Sequence, residues 1–73
     1  MKFKIKLNRE LKKMGYDLEF WYDRSGGQWV IEGTDHNGEW FTRGVGVFAL
    51  HQLSFAQWID TALGFYADPE NYG

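Results

Sequence analysis

The last third of the chain carries the feature that most restricts the fold: an apolar stripe at helical spacing with a cap in front of it. Ser54 followed three residues later by Gln57 is a capping box. Beyond it Phe55, Trp58, Ile59, Ala62, Leu63 and Tyr66 recur in the i, i+3, i+4, i+7, i+8, i+11 pattern of an amphipathic helix. Asp68-Pro69 ends that helix, and Glu70 to Gly73 is a short tail. Burying such a stripe contributes roughly 10 kcal/mol at about 1.5 to 3 kcal/mol per large side chain, an upper bound because an unfolded chain is already partly compact. Phe65 falls off the stripe and reads as exposed.

Upstream the period changes to two. From Asp17 to Asp23, Leu18, Phe20 and Tyr22 alternate with Asp17, Glu19, Trp21 and Asp23, the pattern of a half-buried strand. Ser25-Gly26-Gly27 reads as a turn, Gln28 to Thr34 as a second strand and Glu39 to Arg43 as a third. Asn37-Gly38 between the last two is the strongest short hairpin signal, because both turn residues tolerate positive φ. With those two residues as the loop, Glu32 faces Arg43 and Thr34 faces Phe41. That register sends Trp29, Ile31 and Trp40 to the core and Phe41 to solvent. A four-residue loop keeps these faces, whereas a three-residue loop inverts the third strand relative to the second.

The opening segment admits two readings. Phe3, Ile5 and Leu7 alternate as in a strand, while Phe3, Leu7, Leu11 and Met14 recur at helical spacing. A helix over about residues 3–14 is preferred, because Gly15 suits the left-handed position that ends many helices and Lys12 and Lys13 suit the dipole of a last turn. Residues 44–53 either continue the third strand or form a Gly-hinged connection with one helical turn. The expected architecture is therefore a single α+β domain, residues 1–73, in the order αβββα.

A chain of 73 residues holds one domain with a modest core. It has no cysteine, which excludes disulfides, thiolate metal sites and cysteine nucleophiles. The N-terminal alternation of Lys with Phe3, Ile5 and Leu7 lacks the continuous apolar run of a signal peptide or membrane span, so a cytoplasmic protein is expected. Catalytic and metal chemistry find no support. His36 lies in the hairpin tip and reads as a turn residue, His51 reads as a packed or hydrogen-bonded structural histidine, and Ser54 is a helix cap. Asp17, Glu19 and Asp23 on a flat strand do not wrap a cation, and the glycines at 26, 27, 44 and 46 lack a phosphate loop's lysine. No catalytic residue, metal or cofactor is expected.

Charge is segregated. Lys2, Lys4, Lys6, Arg9, Lys12 and Lys13, opposed only by Glu10, give residues 1–13 a charge of +5; Arg24 and Arg43 against nine acids give the rest −7. A uniformly basic nucleic-acid binder differs from this, and the stretch Ser54 to Asp60 lacks the lysines with which the double-stranded RNA-binding domain, also αβββα, approaches phosphates. The alternative with more support is an acidic surface. Asp17, Glu19 and Asp23, joined by Glu32 of the next strand and interleaved with exposed Trp21 and Phe41, form a candidate partner-binding face.

In size, element order and acidic surface, the chain resembles the small phage-encoded inhibitors of bacterial defence systems of the anti-CRISPR type. The resemblance implies a stoichiometric inhibitor that occupies a nucleic-acid site on a host nuclease complex in the bacterial cytoplasm. Its partner would be a protein, with no direct contact to nucleic acid or membrane. A second expectation is structural: Phe65, Phe41 and Trp21 as a homodimer seam that completes an undersized core.

Overall fold

The structure, a computed structural model, describes residues 2–47 and 49–71. Phe48 in the connection, Tyr72 and Gly73 of the expected tail, and Met1 lie outside the described residues. The order is α1 (Lys2–Lys13), β1 (Leu18–Asp23), β2 (Gln28–Thr34), β3 (Trp40–Gly44), a single 3₁₀ turn (Leu50–Gln52) and α2 (Phe55–Ala67). The expected αβββα arrangement is the observed one.

α1 ends as its sequence predicts. Gly15 sits at φ 95°, its N–H donates to the Lys12 carbonyl at 3.0 Å, and the Tyr16 N–H reaches back to Leu11 at 3.0 Å. That pair of bonds is a Schellman motif, and it turns the chain from α1 into β1. Leu7 and Leu11 are fully buried, whereas Met14, expected on the same stripe, lies past the last helical turn and is exposed.

The three strands form one antiparallel sheet in the order β1-β2-β3. β1 and β2 pair Leu18 with Gly33, Phe20 with Ile31 and Tyr22 with Trp29 on the inner face, and Glu19 with Glu32, Trp21 with Val30 and Asp23 with Gln28 on the outer face. Gly33 is required where it stands. Its φ is 152°, and a Cβ there would lie 2.0 Å from the Asp17 carbonyl oxygen and 2.9 Å from the Leu18 Cα, both backbone atoms that cannot give way.

β3 departs from the expected register. Thr34 pairs with Trp40, Gly33 with Phe41 and Glu32 with Thr42. The loop has three residues, His36-Asn37-Gly38, closed by Asp35 N–H to the Glu39 carbonyl at 2.9 Å, with Gly38 at φ 79°. Asp35 is the cause. Its buried carboxylate accepts from the N–H groups of Asn37 at 2.8 Å and Glu39 at 3.0 Å, an Asx turn that fixes the longer loop. A one-residue slip exchanges the two faces of a strand. Phe41 therefore enters the core at 4 % exposure, and Trp40 points out at 64 %.

After Gly44 the chain stays on β2 through a bulge. Val45 N–H donates to the Trp29 carbonyl and Trp29 N–H to the Val47 carbonyl, both at 2.9 Å, with Gly46 at φ 77° absorbing the extra residue. Residues 44–53 thus combine strand continuation with one helical turn. His51, expected to be packed, is exposed on that turn.

α2 lies under the inner face. Ser54 Oγ accepts from Gln57 N–H at 3.1 Å and Gln57 Oε1 accepts from Ser54 N–H at 2.8 Å, which is the predicted capping box. Trp58 is fully buried, edge-to-face with Phe20 at 4.9 Å and with Trp29 at 5.8 Å between ring centroids. With Trp58 pointed at the sheet, the face centred on Trp58, Ala62 and Phe65 is buried, so Phe65 belongs to the core at 2 % exposure rather than to a surface. Ile59 and Tyr66 flank that face and are partly buried.

Trp58→Ala is expected to cost about 3 to 5 kcal/mol in denaturant unfolding. Gly33→Ala is expected to cost at least about 2 kcal/mol, whereas Gly15→Ala, whose Cβ would meet no atom within 4 Å, costs only the left-handed backbone penalty of about 1 kcal/mol. Equal losses at Gly33 and Gly15 would contradict the close approach described.

Candidate interaction surface

Both helices lie on the inner side or at the β1 edge of the sheet. α2 meets the inner face through Trp58. Asn8 of α1 seals the outward edge of β1: its Nδ2 donates to the Phe20 carbonyl at 3.0 Å, and the Phe20 N–H donates to its Oδ1 at 2.8 Å. One amide side chain thus satisfies both backbone groups of Phe20, the middle residue of the outward row Leu18, Phe20 and Tyr22. The outer face carries Glu19, Trp21, Asp23, Gln28, Val30, Glu32, Thr34, Trp40, Thr42 and Gly44; Val30 at its centre is buried and Trp21 partly so, while Glu19, Trp40, Thr42 and Gly44 are exposed.

The structure brings together most of the acidic residues expected there. Glu19 and Glu32 are directly opposed across β1 and β2. Among the described residues neither has a basic or hydrogen-bonding partner, so two like charges face each other in water, an arrangement that destabilises a strand pair. Asp17 stands one step before β1, where its Oδ2 accepts from Thr34 Oγ1 at 2.9 Å and its carbonyl accepts from Thr34 N–H at 2.9 Å. It is exposed and continues the row of Glu19 and Glu32.

Asp23 differs in role. Its Oδ1 accepts from Ser25 Oγ at 2.8 Å and from Ser25 N–H at 3.1 Å, while its carbonyl accepts from Gly27 N–H at 2.8 Å. The hydrogen bond from the Ser25 hydroxyl, with further help from the Gly26 and Ser25 backbone, holds the carboxyl below the ordinary aspartate range. Asp23 thus organises the β1–β2 turn and is the least available of the four acids.

The aromatic members are partly exchanged relative to expectation. Trp21 lies on the outer face as predicted but is partly buried, and its indole N–H is buried without an acceptor among the described residues. Phe41 belongs to the core and is not part of the surface. Its place is taken by Trp40, beside Thr34 on β2. The signal that could have found Trp40 is Asp35, whose side chain competes with the Asn-Gly turn for the loop's N–H groups. The homodimer seam of Phe65, Phe41 and Trp21 is not available, since two of its three residues are buried in the monomer.

Four cations of α1, Lys6, Arg9, Lys12 and Lys13, are exposed. Lys6 Nζ lies 5.5 Å from the Phe55 ring centroid, which ties one of them to α2. Among the described residues no group of three or more His, Cys, Asp or Glu side chains is placed to hold a metal ion, and no helix is long and apolar enough to cross a membrane.

Comparisons with protein-family models, with curated proteins and with solved structures find no match to this chain. What the surface does is therefore argued from its own chemistry.

The lowered Asp23 pKa gives a signed pH dependence. A carboxyl held low in the folded state contributes stability that is complete above the ordinary aspartate value and is lost as pH falls through the lowered one. The melting difference between wild type and Asp23→Asn is expected to be constant at neutral pH and to close on acidification across that interval. A difference that persists in strong acid would remove the turn carboxylate from this role.

Proposed function

We propose that the chain is a non-enzymatic binding protein whose outer sheet face occupies a basic protein surface, of the kind that otherwise holds nucleic acid. The observation that carries this reading is the unpaired opposition of Glu19 and Glu32 beside a tryptophan, Trp40, left 64 % exposed. The fold gains nothing from either feature. Opposed carboxylates weaken the strand pair, and an indole in water forgoes the burial that other rings in this chain obtain.

A cationic partner converts both costs into affinity. Lysines and arginines lining a nucleic-acid groove would pair with Asp17, Glu19 and Glu32, while Trp40 supplies the desolvated aromatic anchor that carries binding energy where surface charge alone does not. Charge would set the encounter rate and its salt dependence, and the ring would set residence time. This is the manner of action implied by the resemblance to small phage-encoded inhibitors of host nuclease complexes.

Affinity capture from bacterial lysate at low and high salt, followed by binding measurements with the purified captured protein, tests the reading. The expected partner is a nucleic-acid-binding protein whose nucleic acid is displaced by the chain. Glu19→Gln/Glu32→Gln is expected to raise the chain's own stability by about 0.2 to 1 kcal/mol while weakening capture, and Trp40→Ala to leave stability within about 0.5 kcal/mol while losing it. Capture that ignores both variants would overturn the assignment of this face.

A further inference from the structure

The two edges of the sheet are treated differently. β1 is blocked at Phe20 by Asn8 of α1, whereas β3 faces solvent along its outward side. The bonds from Asp35 to Glu39 and from Val45 to Trp29 fix the alternation of the β2–β3 ladder. In an antiparallel pair that alternation turns the N–H and carbonyl groups of Glu39, Phe41, Arg43 and Val45 toward β2, and those of Trp40, Thr42 and Gly44 away from it. The only bond to this outward row among the described residues is a local one, Arg43 Nη1 to the Thr42 carbonyl at 2.8 Å, and a carbonyl oxygen retains a second lone pair.

We propose that this edge pairs with the β3 edge of a second copy, antiparallel about Thr42, to give a continuous six-stranded sheet. The strand is self-complementary in that register. Thr42 opposes its counterpart, and each exposed Trp40 opposes a Gly44 over which the Gln28 side chain of that copy lies, so the indole meets a glycine and the glutamine amide that covers it. On the other face Arg43 comes diagonally beside the second copy's Glu39, an opposite-charge pair on each side of the two-fold axis, within reach of long side chains. Across the axis the two Arg43 side chains are themselves diagonal neighbours, each with its Nε donating to the Pro69 carbonyl of its own copy at 3.0 Å, while the acids Glu19 and Glu32 lie on the far strands. The contact is isologous and closes at two copies. It leaves the acidic outer face open and brings two copies of it into one surface with the Trp40 rings at its centre.

Mass measured in solution over about 10 µM to 1 mM should rise toward two chains as concentration increases. Thr42→Pro should remain one chain throughout, since proline removes an N–H that β2 does not use and is tolerated on an edge strand. Hydrogen exchange of the wild type supplies a readout that needs no variant: the Trp40, Thr42 and Gly44 amides should slow at least about tenfold at the high concentration, while the N–H groups already bonded to β2 change little. A single-chain mass over the whole range, or a two-chain species that Thr42→Pro does not disturb, overturns the proposal, as does exchange at those three amides that is indifferent to concentration.

Discussion

Trp58 is the residue on which the arrangement of the layers depends. Its ring meets Phe20 on β1 and Trp29 on β2 edge-to-face, so one side chain sets both the distance and the rotation of α2 against the sheet. The rotation decides which helical positions are buried: with Trp58 aimed inward, Ala62 and Phe65 follow it. The two helices of a chain this short cover one face of the sheet and one edge. The other edge and the acidic residues of the other face are then left to water, and both proposed interactions lie there.

Where the sequence was informative, the determinants are local. The Ser54–Gln57 box, the glycine after α1 and the period-two run over Leu18–Asp23 each depend on residues a few positions apart, and each appears as expected. The errors come from competition between local signals or from rotation set by distant contacts. Asn37-Gly38 suggests a two-residue loop, but Asp35 holds the N–H groups of Asn37 and Glu39 and lengthens it by one. That slip moved Phe41 inward and Trp40 outward. Phe65 belongs to the second kind, since the stripes through Trp58, Ala62, Phe65 and through Ile59, Leu63, Tyr66 are one residue apart, about 100° around the helix, and the contacts of Trp58 decide which faces the sheet.

The candidate surface divides along the same line. Its acids were readable, because Glu19 and Glu32 sit on strands whose alternation is unambiguous. Its aromatic anchor was not, because it lies on the strand whose register depends on the loop. Asp23 shows a third case: the face was right and the role was not, since its carboxylate is engaged by Ser25, a bond that spacing alone does not reveal.

The opposed glutamates also say what cannot cover this face. Two unit charges about 5.5 Å apart repel by only about 0.8 kcal/mol in bulk water, which a folded domain tolerates. The same pair covered by an apolar partner would lose its hydration and repel through a lower dielectric, a cost of several kcal/mol that no nearby cation of this chain offsets. Two copies stacked face to face would be worse still, with four carboxylates brought together. The face is thus selective by exclusion, closed to apolar surfaces and to itself but open to a surface that brings its own positive charge. Self-association through the β3 edge spares these carboxylates, because Trp40, Thr42 and Gly44 carry no charge.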